Sequence, residues 1–194
     1  MKLFTANGVE NTSVEMIARE SGLTLRSVQN YFRTKKDLIA AVLANSYAAE
    51  LKDMKSMALA ESYQNKNGAE QIIEIITIAY QKAIGKADVI FCTSQMEHIL
   101  SRASKDNEEV RLEGNWNFIM DHIQRAFTKG LKDGSITVKM KDNLVDANSI
   151  TLALYGIQQQ VAFAMCDQRL HEVFQPEIAI KKYIRQMELM LSEK

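Results

Sequence analysis

The sequence predicts an all-α fold, a small helix-turn-helix unit followed by a larger helical region. Three observations carry that expectation. A single proline, Pro176, and eight glycines in 194 residues leave room for long helices and argue against an all-β chain. Apolar residues recur at i, i+3 and i+4 along most of the sequence. The stretch from Thr12 to Lys36, TSVEMIARESGLTLRSVQNYFRTKK, reads as two short helices either side of a tight corner, with the start of a third behind them.

Taken in order, Met1 to Asn7 forms the last turns of a helix that stops at Gly8. Ser13 to Ser21 is the next helix, with Val14, Ile17 and Ala18 on one face and Thr12 or Ser13 as its N-cap. Gly22 stands where a chain leaving a helix needs positive φ, which glycine adopts without steric cost. Thr24 caps a helix running to about Phe32, with Val28, Tyr31 and Phe32 turned inward. Small Ala18 admits a close crossing, Gly22 makes the corner, and Val28 pins the second helix to the first. In this arrangement the second helix enters the DNA major groove.

Thr34 then caps a helix with Asp37 in the capping-box position. Leu38, Ile39, Val42, Leu43, Tyr47, Leu51 and Met54 carry that helix on to about Tyr63, before the polar break Gln64 to Gly68. A stiff helix leaving the N-terminal unit transmits a displacement that a Gly/Ser linker would absorb. Ala69 to Gly85 places Glu70, Glu74, Thr77 and Gln81 on one narrow stripe, so the rest of its circumference is apolar and buried. Val89 to Arg102 is a shorter helix, broken by Ser104 to Asn107. Glu108 to Asp133 is a long one with a stripe of Leu112, Trp116, Ile119, Ile123 and Phe127, followed by a connection over 135–142. Asn143 to Asp167 and Glu177 to Leu191 are the last two helices, with Pro176 placed for a helix start. Both carry two apolar stripes. One helix has Leu154 and Val161 on one side and Ile157 on another, with Ala153, Gly156 and Ala162 permitting close approach; the other has Ile180, Ile184, Met187 and Leu191 beside Ala179, Tyr183 and Met190. One stripe serves a helix's own core, and a second implies a partner.

Composition excludes several classes. Apolar residues make up 46% of the chain, enough for a core. No apolar run approaches the ~20 residues of a membrane span. No basic-then-apolar leader is present, so a cytoplasmic protein without a membrane partner is expected. Cys92 and Cys166 lie in apolar stretches without metal spacing, and inert buried thiols are expected. Net charge is zero, but residues 1–45 carry +2, and four of their six basic residues fall between Arg26 and Lys36, where phosphates would lie.

The run LFTANGVENTSVEMIARESGLTLRSVQNYFRTKKDLIAAVL resembles the N-terminal domain of TetR-family transcriptional regulators. Leu3-Phe4, Gly8, Thr12-Ser13, Ile17-Ala18, Gly22-Leu23, Tyr31-Phe32, Lys35 and Leu38 match in order and spacing. The resemblance implies an N-terminal helix-turn-helix DNA-binding domain over 1–45 and a C-terminal helical ligand-binding and dimerisation domain over 46–194. It also implies a first helix that begins further upstream, so the one here is expected to be truncated. Gly130 to Gly156 is similar to relatives more weakly.

For DNA, Thr12 and Ser13 are expected to present hydroxyl and backbone N–H groups to a phosphate at a helix start. Thr24, Leu25, Arg26, Ser27, Gln29 and Asn30 lie on or near the exposed side of the reading helix. Arg26 can bridge O6 and N7 of guanine, and Gln29 or Asn30 can pair with adenine. Tyr31 and Lys35 resemble the family's phosphate contacts, with Lys36 as a helper. The resemblance further implies a homodimer through the last two helices, for which Leu154, Ile157, Val161, Ile180, Ile184, Met187 and Leu191 are the expected interface. Tyr80, Phe91, Cys92, Met96, Trp116, Met120 and Phe163 are the expected lining of a pocket for an unidentified small-molecule effector, expected to be apolar. No cofactor or metal is expected, because His98, His122 and His171 are scattered and no catalytic constellation assembles. The expected function is a ligand-responsive repressor acting as a homodimer on a palindromic operator in double-stranded DNA. The alternatives are a helical small-molecule-binding module with weakened or lost DNA binding and, more remotely, a small α-helical enzyme.

Overall fold

The computed structural model describes residues 1–103, 113–137 and 146–192, without the side chains of 103, 113–117 and 192. All regular elements among these residues are helices. The N-terminal unit is built from α1 (Lys2–Asn7), α2 (Val14–Glu20), α3 (Leu25–Tyr31) and the first turns of α4 (Lys35–Leu59). Gly8 ends α1 at φ 80° and Gly22 makes the α2–α3 corner at φ 69°. Ser13 caps α2, its hydroxyl accepting from Met16 N–H at 3.2 Å. Thr24 caps α3 through Ser27 N–H at 3.1 Å. The Thr34–Asp37 capping box opens α4, with both reciprocal bonds formed.

The long helix ends sooner than its period suggests. Ala60 turns to extended backbone after Leu59, and α5 (Glu61–Gln64) is a separate short turn. The break lets Tyr63 bury its ring in the larger core. Next come α6 (Gly68–Gly85), α7 (Ala87–Ala103) and α8 (Glu113–Asp133). The expected break at 104–107 and the residues 108–112 lie outside the described residues. A Cβ on Gly68 would stand 2.0 Å from the backbone nitrogen of Gly130, so the start of α6 crosses the end of α8 backbone against backbone. Two unpaired N–H groups at the α6 start are satisfied there: Gly68 donates to Asp133 Oδ2 at 3.0 Å and Ala69 to Ser135 Oγ at 3.1 Å.

The chain closes with α9 (Ala147–Cys166), α10 (Gln168–Phe174) and α11 (Pro176–Ser192). Residues 143–145, expected to open α9, lie outside the described set; the described helix is capped by Asp146. The sequence pattern gave no sign of α10. Asp167 caps it through Arg169 and Leu170 N–H, and Gln175 ends it in the left-handed region at φ 43°.

Two clusters of buried side chains hold these elements. The larger joins α6, α8, α9 and α11 around Ile72, Ile76, Tyr80, Ile123 and Leu191. The smaller joins Phe4, Val9, Ala18, Val28, Leu38, Ile39 and Leu43 of the N-terminal unit to Cys92, Met96 and Leu100 of α7. The core under the helix-turn-helix is therefore completed by a helix from beyond residue 45.

Candidate nucleic-acid interface

Helix α3 owes its attitude to Val28, which is 4% exposed and sits against Ala18 and the start of α4 in the smaller core. With Val28 facing in, the helical period turns Arg26, Gln29 and Asn30 out to solvent, with Leu25 and Ser27 half-buried at the edges. Thr24 and Ser27 share a hydroxyl–hydroxyl bond of 2.8 Å while Thr24 also caps the helix. Tyr31, expected to turn partly inward, is 83% exposed, and Phe32 alone folds back at that end. The whole ring of Tyr31 is thus free to meet a backbone.

Around this helix the basic groups are arranged as a rim. Arg33 and Lys36 are exposed. Lys35 is half-buried and its ammonium donates to the Glu10 carbonyl at 2.8 Å, tying α4 to the loop before α2. An ammonium has three donors, so a phosphate could still share it.

The α2 end differs from expectation. Thr12 is fully buried; its hydroxyl stands 2.7 Å from the Gly8 carbonyl and 3.1 Å from that of Leu3. It fastens α1 to the loop and cannot reach a phosphate, so its expected DNA role is withdrawn. Ser13 remains half-exposed as the cap. Glu15 stands on the same first turn, its carboxyl held below the usual carboxylate range by its own backbone N–H and then by the Ser13 hydroxyl. That anion occupies the favourable charge position at the helix start.

The expected effector lining does not come together. Tyr80 is in the larger core, edge-on to Tyr183 with ring centroids 5.8 Å apart. Cys92 and Met96 belong to the smaller core under the DNA-reading unit. Phe91 stacks on Phe163 at 5.3 Å, and both Phe163 and Met120 are exposed. The Trp116 side chain lies outside the described residues. Helix α7 explains the error: Cys92, Met96 and Leu100 form one of its faces, while Ile90, Thr93, Ser94 and Glu97 form another. The apolar face that resembled a pocket wall is packed against α1 and α4 instead.

The second face of α7 does border a cleft. Two adjoining cavities of about 50 and 60 Å3 share Glu50, Ile119 and Gln158. At one end Tyr155 offers its hydroxyl to Glu97, 2.8 Å from either carboxylate oxygen. Burial raises the Glu97 carboxyl above the usual range, and the Tyr155 bond only partly offsets this. Burial, then the neighbouring Glu97 charge, raises the Tyr155 phenol. Sequence reading missed Glu50, Glu97, Tyr155 and Gln158. Their signal was weak: polar residues on faces that otherwise read as apolar.

The expected dimer residues also need correction. Leu154, Val161, Ile180, Met187 and Leu191 are buried in this chain's own core, with Ile157 and Ile184 half-buried against it. The outward faces are others. Helix α9 exposes Leu152, 68% accessible, together with Ala153, Gly156 and Phe163. Helix α11 exposes Ile178, Leu189 and Met190.

Among the described residues no group of three His, Cys, Asp or Glu side chains could hold a metal ion, and no helix is long and apolar enough to cross a membrane. Residues 1–42 match the family described as bacterial regulatory proteins, tetR family. A solved structure described as the molecular basis for control of antibiotic production by a bacterial hormone is similar in fold, with a TM-score of 0.61 and 21% identity over 96% of this chain and 88% of that one. No curated protein matches the chain in sequence.

Proposed function

The chain belongs, through its residues 1–42, to the tetR family of bacterial regulatory proteins, and on that premise we propose that it is a ligand-responsive repressor that binds a palindromic operator as a homodimer. The observation that carries the reading is the outward face of α3. Arg26, Gln29, Asn30 and Tyr31 stand in solvent over a single buried anchor, Val28. Arginine and amide side chains so placed match the edges of guanine and adenine in the major groove. Lys35, Lys36 and Arg33 supply charge beside them, and Tyr31 and Ser13 add uncharged backbone contacts.

A second copy would pack on the face of α9 and α11 that presents Leu152, Gly156, Phe163, Leu189 and Met190. The small residues Ala153 and Gly156 favour a close helix approach there. A twofold pair sets two α3 helices on half-sites about one helical turn, ~34–36 Å, apart.

The effector, a molecule with an apolar body, enters the cleft between α4, α7 and α9. As folded, the two cavities together hold about three or four waters, each needing roughly 30 Å3, whereas ligand pockets span about 300–1,000 Å3. Binding therefore has to open this lining, and one of its walls is α4, which begins at Lys35 in the DNA-reading unit. The ligand shifts the equilibrium only by its differential affinity for the parted and closed states.

The test is selection from random DNA duplexes with purified full-length protein, followed by gel-shift titration of the enriched sequence. An inverted repeat bound by a dimer is the expected result. Enrichment of no sequence over the starting pool would sink the reading.

A further inference from the structure

The cleft has unlike ends. Tyr47, Glu97 and Tyr155 line one, and Met54, Met57 and Ile75 line the other, with Glu50 and Gln158 between. At the polar end the Glu97 side chain is half-buried and its carboxylate accepts from the Tyr155 hydroxyl, whose single hydrogen serves one oxygen at a time. Among the described residues no cation stands within ion-pair distance of Glu97; Lys82, which lines the apolar end, reaches only Glu50 and Asp53, each at 4.0 Å. A carboxylate moved away from water is costly unless something compensates its charge. A neutral ligand leaves that charge uncompensated, and an anionic one adds to the charge of Glu50, Asp53 and Glu97. A cation compensates it, and the two tyrosines of the same end favour a cation over a neutral donor. Burial raises the Glu97 carboxyl above the usual carboxylate range, which marks the partial loss of water around it.

We propose that the effector is an alkylammonium, its amine head seated between Glu97 and the tyrosines Tyr47 and Tyr155 and its apolar body in the Met54–Met57 end of the cleft. The proposal rests on the reading of this cleft as the effector site, and it replaces a wholly apolar ligand by a two-ended one.

Three probes of nearly one shape separate the claims: phenethylammonium, 2-phenylethanol and 3-phenylpropionate, each titrated calorimetrically into the full-length protein and its Glu97→Gln variant. Phenethylammonium should bind best, 2-phenylethanol about tenfold or more weakly, and 3-phenylpropionate worst, as expected when a charge-assisted bond is lost. In Glu97→Gln the ammonium should lose about tenfold while the alcohol stays within twofold, which also shows that the variant is folded. Equal binding of ammonium and alcohol, or an ammonium affinity untouched by Glu97→Gln, overturns the proposal and leaves the cleft standing as an effector site. Binding of none of the three overturns both.

Discussion

The Lys35 ammonium donates to the Glu10 carbonyl at 2.8 Å, joining the first turn of α4 to the loop ahead of α2. The bond holds the charge at a fixed place on the rim of the reading face. Lys35→Ala should weaken binding to every DNA sequence by a similar factor and lower the slope of log affinity against log salt by about one. Gel-shift titrations at several salt concentrations, on operator and on random duplex, read both quantities. A loss confined to the operator would show that Lys35 reads sequence instead.

Arg26 is exposed in the first turn of α3, two residues after the Thr24 cap, with no ion-pair partner among the described residues. Arg26→Ala should cost about 1–3 kcal/mol on the operator and much less on random DNA, because a bidentate contact to guanine is lost. Equal losses on the two would refute its base-reading role.

Leu152 and Leu154 lie two residues apart on α9 and face opposite ways, one 68% exposed and the other 3%. Leu152→Glu should shift sedimentation from dimer to monomer with helical circular dichroism retained. Leu154→Ala should instead destabilise the fold by about 2–5 kcal/mol in urea, as core truncations do. If Leu152→Glu stays dimeric, the second copy packs on another face.

Glu97 carries a pH signature. Its carboxyl is raised in the folded state by burial. Below the unfolded pKa both states hold the proton and there is no penalty. As pH rises from the unfolded value towards the raised folded one, the unfolded chain releases its proton first, and stability falls. Glu97→Gln has no proton to release, while Glu50 and Tyr155 are common to both proteins. The variant should therefore match the parent near pH 3 and melt higher near pH 7, in the absence of ligand. A constant difference across that range would contradict the shift.

Much of the N-terminal unit was legible because its determinants are local. Gly22, Thr24, Thr34 and Asp37 act within a few residues of themselves, and the structure places each as its chemistry requires. Thr12 misled because a hydroxyl before a helix serves equally as phosphate donor or as loop fastener; the partners that decide, Leu3 and Gly8, belong to an earlier turn. The C-terminal assignments failed for a different reason. Two stripes on α9 announce two burial surfaces without saying which one belongs to the chain's own core. Likewise Cys92 and Met96 look the same in sequence whichever core receives them. Tyr155 and Glu97 are brought together only by the packing of α9 on α7, and neither residue has a local cue for the other.

The two faces of α7 have an evolutionary corollary. Residues 92, 96 and 100 are committed to the DNA-reading unit, and residues 90, 93, 94 and 97 to the cleft. With the cleft as the proposed effector site, substitutions in the second set would retune the ligand while the core under the helix-turn-helix keeps the same foundations. A one-residue insertion ahead of Cys92 cannot do this, because it rotates all that follows by about 100° and carries residues 92 and 96 off the smaller core and onto positions 93 and 97 of the cleft face. Drift along this helix is thus open to changes of side chain and closed to changes of length.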